Sequence, residues 1–250
     1  MNNPPMINIT IPVYNEEKRM GDNVLKLYHY IKSSLKYPFE IIIADNGSTD
    51  NTPAIAKQLS YKYPEIKLLH IEQKGKGIAI NTSWSRSKAD ILSFMDVDLS
   101  ADLKHFQQLI DAILKDGYDI TIGSRLITHK KVKRSLKREI ISRCYSFLLK
   151  LAFFVKFHDA PCGFKAIKKE AADRLLPLIN DAGWFFDSKL LIIGEKLGFK
   201  IKEIPIEWID DPGSKVNIPG TAYEYLKAIF LLKIFLNGTI REYYKKYTNT

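Results

Sequence analysis

Apolar side chains recur along the chain in two alternating rhythms, short runs of β-branched and aromatic residues and longer stretches with helical spacing. Ile7 to Val13 alternates apolar and polar positions as far as Pro12 and predicts a strand, with a loop following at Tyr14-Asn15-Glu16-Glu17. A helix is expected over 17–35, and Phe39 to Ala44 reads as a continuous apolar strand of the kind buried on both faces of a parallel sheet. Helix 52–63, strand 66–71, helix 76–87, strand 90–96, helix 102–116 and strand 118–123 extend the alternation. Further on, helices are expected near 169–176 and 186–198, a strand over 200–208, and an apolar helix over 220–236. A strict βα series predicts an α/β, doubly wound, mostly parallel sheet with right-handed crossovers and a C-terminal helical extension. The expected division is one domain over 1–208 and the extension over 209–250.

Polar residues of unusual density follow three of the predicted strands: Tyr14-Asn15-Glu16, Asp45 to Asp50, and Asp96-Val97-Asp98. In an open α/β sheet, carboxyl ends are where ligands bind. Ile91, Leu92, Phe94 and Met95 lead straight into Asp96 and Asp98, two like charges spaced i, i+2. Such a pair repels unless a cation sits close by, and hard oxygen donors suit Mg²⁺ or Mn²⁺. The alternative reading is that Asp98 caps the next helix. Lys74-Gly75-Lys76-Gly77 opens a predicted helix, where glycines let backbone N–H groups approach a phosphate. A Gly-x-Gly-x-x-Gly fingerprint and a Walker A loop are both missing, which argues against a dehydrogenase and a P-loop nucleotidase.

Composition narrows the partners. The 250 residues carry 38 basic and 28 acidic side chains, a formal charge of +10, which favours phosphorylated substrates, anionic membrane surfaces or nucleic acid. Nucleic acid is the weakest of these, because the acidic strand ends repel phosphate and no aromatic stacking platform or helix-turn-helix pattern is visible. Two cysteines, Cys144 and Cys162, build no disulfide framework and fit a reducing cytoplasm. No basic-then-apolar leader opens the sequence, and no stretch reaches a membrane span, so a membrane-bound location would be peripheral.

Basic residues crowd 126–138 (Lys130, Lys131, Lys133, Arg134, Lys137, Arg138), and a helix expected over 139–157 follows. Ile140, Cys144, Leu148, Leu151 and Val155 form its apolar stripe, with Glu139, Ser142, Arg143, Ser146 and Lys150 opposite. A basic amphipathic helix of this kind either lies in a membrane interface or packs its stripe on the sheet. The apolar helix before Leu236 is expected to be buried, membrane-associated or packed against a second copy.

Taken together, Pro12-Val13-Tyr14-Asn15-Glu16, Asp45-Asn46-Gly47-Ser48-Thr49-Asp50, Lys74-Gly75-Lys76-Gly77, Asp96-Val97-Asp98-Leu99-Ser100 and Gly123-Ser124-Arg125 resemble the family-2 inverting glycosyltransferases. More closely, they resemble the polyprenyl-phosphate (dolichyl-phosphate) mannose and glucose synthases. Asp159 to Lys165, Trp184-Phe185-Phe186-Asp187 and Trp208 to Val216 resemble stretches of the glucosyl-type members. The resemblance implies a glycosyltransferase-A-like fold, a nucleotide-sugar donor such as UDP-glucose or GDP-mannose, and a polyprenyl phosphate acceptor. It also implies roles: Pro12, Tyr14 and Glu16 lining base and ribose, Asp45 bonding the base, Asp50 holding its loop, and Lys76 near the donor. Asp96 would meet ribose or sugar, Asp98 the metal, Arg125 the diphosphate, and Arg138 with Ser142 the acceptor phosphate. This chain departs from the family pattern in having Asn46 where a second aspartate is frequent, and Ser100 where mannosyl-type members tend to have Gln. A transferase acting on a glycan or protein hydroxyl would instead need a carboxylate base, with Asp159 and Asp187 as candidates.

Overall fold

The computed structural model describes residues 4–127, 132–210, 224–236 and 238. Part of the basic loop (128–131) and the Asp211 to Val216 stretch lie outside the described residues. Strands β1 (Ile7–Val13), β2 (Phe39–Asn46), β3 (Ile66–Ile71), β4 (Ile91–Met95), β5 (Ile120–Ser124), β7 (Phe164–Lys168) and β8 (Ile201–Pro205) form one sheet in the order β3-β2-β1-β4-β7-β5-β8. All are parallel except β7, which runs antiparallel to both β4 and β5. A two-residue β6 (Val132–Lys133) pairs in parallel with β9 (Trp208–Ile209) beside the main sheet.

Helices cover both faces because the strands are apolar on both. One layer packs α1 (Met20–Ser34), α2 (Thr52–Lys62) and α4 (Phe106–Leu114) on Ile7, Ile9, Ile11, Ile41 and Ile43. The other packs α3 (Lys76–Arg86), α5 (Leu136–Phe153), α6 (Lys169–Leu175) and α7 (Phe186–Lys196) on Leu92, Phe94, Ile120 and Ile122. β4 shows the logic within five residues: Ile91 and Met95 join the first layer, Leu92 and Phe94 the second. The polar residues of β1 are satisfied where they are buried, since Thr10 Oγ1 donates to Asn8 Oδ1 (2.8 Å) and Asn8 Nδ2 to Glu40 Oε1 (2.9 Å).

Three sequence expectations change. Phe164–Lys168 is a strand that the periodicity does not mark, because a five-residue run with two lysines lacks an apolar alternation; its Lys165 is fully buried all the same. The expected strand 200–208 is two pieces, β8 and β9, broken after Pro205. Helix α5 spans Leu136–Phe153 instead of 139–157, and its inward residues are Ser146, Leu149 and Phe153. The stripe read from the sequence is split: Ile140, Cys144 and Leu151 are exposed, together with Leu136, Phe147 and Phe154, while Leu148 is half-buried against the second layer and Val155, past the helix end, is buried in it. Residues 224–236 are helical, and Ile229 and Leu232 are buried in the second layer, with Tyr225 stacked near Tyr145 (4.9 Å) and Phe185 (5.7 Å).

Candidate active site

The carboxyl ends of β1, β2, β4 and β5 open on one edge of the sheet, and reversed β7 brings its amino end, with Asp159 to Gly163 before it, to the same edge. Asp96 N donates to Gly163 O (3.1 Å), and the Asp96 carboxylate lies directly on Gly163. Asp96 Oδ1 meets Lys76 Nζ at 2.8 Å, and the same ammonium reaches Asp187 Oδ2 at 3.2 Å. Asp187 in turn takes Lys165 Nζ on its other oxygen at 3.0 Å, and that lysine also donates to the Cys162 carbonyl. Burial works against the charge of Lys76, but Asp187 and Asp96 outweigh it and hold the ammonium above its ordinary range.

Asp98 is different. Its Oδ1 accepts from Ser100 N (3.0 Å), a local turn that leaves Leu99 at a positive φ of 51°. The following helical turn is capped by Asp102, whose carboxylate accepts from Lys104 N, so Asp98 is not the helix cap. Burial, and then the charge of Asp96, push its carboxyl above the usual range. A small pocket lies against Asp96, Asp98, Ser100, Gly163 and Trp208.

Arg125, just past β5, meets Asp159 in a two-point pair: Nε to Oδ2 at 2.8 Å and Nη2 to Oδ1 at 2.7 Å, with its backbone N–H also on Oδ2 at 2.7 Å. The guanidinium stacks on Trp208, 4.7 Å from the ring centre. Burial opposes the Asp159 charge, but Arg125 wins and holds that carboxyl below the usual range. Cys162 is a buried, inert thiol, pushed up to about 12 chiefly by burial.

The β1 and β2 loops are stitched together. Asp45 is fully buried, with Oδ2 on His70 Nδ1 (2.7 Å) and Oδ1 accepting from Ser48 N (3.2 Å). His70 stands beside Asp45 because β2 and β3 pair these two residues in register. Asp50 accepts from Glu17 N (3.2 Å) and Thr52 N (3.0 Å), joining the two loops. Pro12 pairs in register with Ala44, Tyr14 carries Lys74 Nζ 3.9 Å over its ring, and the Glu16 carboxylate is held by Arg19 (2.5 and 2.8 Å).

Asn46 has a structural reason. Its Nδ2 donates to Val13 O (2.7 Å) while its Oδ1 accepts from Gly75 N (3.0 Å), and an aspartate lacks the donor the first bond needs.

The expectation for the Lys-Gly-Lys-Gly turn changes. Gly77 N and Ile78 N donate to Ala182 O (3.0 and 3.4 Å), and a Cβ at Gly75 or Gly77 would lie 2.2 Å from the carbonyl oxygens of Ala182 or Asp181. These glycines admit the 181–183 segment, and it is Lys76 that reaches the strand edge.

Arg138 and Ser142 sit on the first turns of α5. Arg138 Nη1 lies 3.1 Å from Asp210 Oδ2, and Ser142 Oγ accepts from Arg134 Nη2 (2.5 Å). Sequence reasoning gave Arg134 only a place in a basic run and missed its burial.

Among the described residues no group of three or more His, Cys, Asp or Glu could enclose a metal by itself. The donor set nevertheless fits a hard cation: Mg²⁺-type ions use one or two carboxylates and complete their shell with water and substrate phosphates, and Asp98 is a half-buried carboxylate beside Asp96 that gains from a nearby positive charge.

A mostly parallel sheet with one reversed strand and acidic residues at its carboxyl edge is a glycosyltransferase-A-like architecture, and the chain belongs to glycosyl transferase family 2, which it matches over residues 8–176. Among its relatives, glycosyltransferase AglD of Haloferax volcanii is 30% identical over 214 residues, 85% of this chain but 34% of that protein. Dolichyl-phosphate beta-glucosyltransferase of Dictyostelium discoideum is 30% identical over 240 residues, covering 91% and 73% of the two chains. The chain therefore spans about a third of the first relative and about three quarters of the second. Glucosyl-3-phosphoglycerate synthase of Mycobacterium tuberculosis, crystallised with Mn²⁺, uridine diphosphate and glucosyl-3-phosphoglycerate, shares the fold with a TM-score of 0.68 at 21% identity, over 92% of this chain and 80% of that one.

Proposed function

We propose that this chain transfers a hexose, with inversion, from a nucleotide-diphosphate sugar to a polyprenyl phosphate at a membrane surface. The carrying observation is the state of the two further carboxylates beside the site. Asp159 is tied at both oxygens to Arg125, and Asp187 is tied at both oxygens to Lys76 and Lys165. A sugar or protein hydroxyl needs a general base, because its pKa lies far above 7. A phosphate monoester has a second pKa near 6 and is already anionic, so it needs positioning. An acceptor that needs no base suits a site whose spare carboxylates are all neutralised.

In this reading Tyr14, Glu16, Asp45 and the loop clipped by Asp50 receive the nucleoside. Asp96 and Lys76 meet the ribose, sugar or diphosphate. Asp98 holds a divalent cation, Mg²⁺ or Mn²⁺, which when bound neutralises the departing diphosphate. Arg125 adds a fixed positive charge on the same side, and its pairing with Asp159 and stacking on Trp208 keep it oriented before substrate arrives. Arg138 and Ser142 face the acceptor phosphate. The names of the relatives favour glucose on a dolichyl phosphate.

The membrane is supported by α5, whose outward side carries Leu136, Ile140, Phe147, Leu151 and Phe154, and by Leu226, Phe230 and Ile234 of the 224–236 helix. No helix among the described residues is long and apolar enough to cross a membrane, and it is these exposed side chains that we assign to the membrane surface. The basic 126–138 segment favours an anionic, cytoplasmic leaflet, each Lys or Arg near it contributing roughly 1 kcal/mol.

The test is an assay on membranes with labelled UDP-glucose or GDP-mannose, polyprenyl phosphate and Mg²⁺ or Mn²⁺. Label is expected in a chelator-sensitive lipid product from one of the two donors. Transfer to a soluble glycan with none to lipid would overturn the reading, and full activity after chelation would overturn the role of Asp98.

A further inference from the structure

The basic loop contains one arginine that is not a surface charge. Arg134 has a side chain only 5% exposed, at the end of the β6–β9 ribbon that ties the loop to the sheet edge. Its Nη2 donates to Arg138 O (2.6 Å) and to Ser142 Oγ (2.5 Å), so it touches both residues assigned to the acceptor phosphate. Its Nε and Nη1 are buried and without a hydrogen bond among the described residues; Nη1 is ion-paired with Glu139 Oε2 at 3.3 Å, and Nε has no partner there. Burial, and after it the charge of Arg125, press its guanidinium below the ordinary range.

A buried guanidinium with an unpartnered Nε and one long ion pair, beside a second, fixed guanidinium, gains when an anion arrives. A dianion turns that repulsion into two charge-assisted contacts, and the planar fork of arginine matches phosphate oxygens. The carboxylates nearby fill this role only in part: Glu139 reaches Nη1 at 3.3 Å but is shared with Arg143 (2.6 Å), Asp159 is consumed by Arg125, and Asp210 is shared by Arg138 (3.1 Å) and Trp208 Nε1 (2.7 Å).

We propose that Arg134 is a direct ligand of the acceptor's phosphate monoester, acting with Arg125, and that the same side chain fixes Ser142 and the first turn of α5 around that group. This rests on the phosphate-acceptor reading above and adds a residue to it. The ribbon partner explains the placement: Lys133 O accepts from Asp210 N (2.9 Å), so β9 sets the height of Arg134 over the cleft.

The experiment measures binding separately from transfer. Purified full chain is titrated with inorganic phosphate and with farnesyl phosphate, following thermal stabilisation, and acceptor and donor KM are then measured with polyprenyl phosphate. Arg134→Gln is expected to weaken half-saturation by farnesyl phosphate at least tenfold and to raise the acceptor KM similarly, with donor KM within twofold. Arg134→Lys should recover part of both, and it supplies the same readings if the Gln variant does not fold. Farnesyl phosphate binding unchanged in either variant would overturn the inference, as would a wild type stabilised by inorganic phosphate alone or by neither compound. A wild type that binds farnesyl phosphate through Arg134 yet transfers no sugar to it would leave this site standing and remove the acceptor assignment instead.

Discussion

The carboxylate of Asp96 rests on Gly163 so closely that a Cβ built there would stand 1.8 Å from Oδ2. That contact couples the end of β4 to the start of reversed β7, and it fixes where the Asp96 carboxylate can go. The neighbouring Asp96 N–H is bonded to Gly163 O, so the backbone cannot slide to make room. Gly163→Ala is therefore expected to push Asp96 off Lys76. A misplacement of about 1 Å near the reacting groups costs on the order of 10²-fold in rate. Steady-state kinetics should show that loss in kcat/KM, with circular dichroism unchanged.

Asp159 governs both stability and pH response. It is fully buried, and removing its charge leaves Arg125 buried without its partner, a loss of about 3–5 kcal/mol in denaturant unfolding for Asp159→Asn. Its carboxyl titrates below the usual range in the folded chain, so its contribution is present above the unfolded value near 3.9 and is lost as pH falls through the lower folded value. Wild type should lose stability over that acid window, and the Asn variant should show a shallower dependence there.

Asp98 carries the opposite sign. Its folded pKa is raised, so the ionised group opposes folding increasingly as pH rises through that value. Asp98→Asn is expected to abolish transfer while raising the thermal midpoint of the metal-free chain by a few degrees, the usual exchange between stability and function. Added Mn²⁺ should stabilise the wild type and not the variant, as differential scanning calorimetry would show.

The exposed stripe of α5 makes a separate prediction. Phe147, Leu151 and Phe154 are 68%, 62% and 80% exposed, and burying such side chains is worth about 1.5–3 kcal/mol each. Replacing all three by Ser should reduce co-sedimentation with anionic vesicles at least tenfold while leaving the melting profile intact. A loss of folding would mean that the stripe is an internal packing surface.

Much was legible in the sequence because period and punctuation report local physics. Alternating apolar strands and amphipathic helices dictate a doubly wound sheet, and polar residues at strand ends mark its ligand edge, so Asp45, Asp96, Asp98 and Arg125 were all visible as neighbours of β2, β4 and β5. Only the tertiary structure decided which carboxylates are free and which helix face is wet. Helical spacing places Ile140, Cys144 and Leu151 on one stripe, but spacing has no inside or outside, and the core chose Ser146, Leu149 and Phe153. Likewise β7 enters the sheet through a five-residue segment whose partners, β4 and β5, are far away in sequence. Arg134 looked like one charge in a solvated run until the pairing of Val132 with Trp208 buried it. Burial and ion pairing are properties of contacts between distant segments, and a linear pattern carries no record of which segments meet.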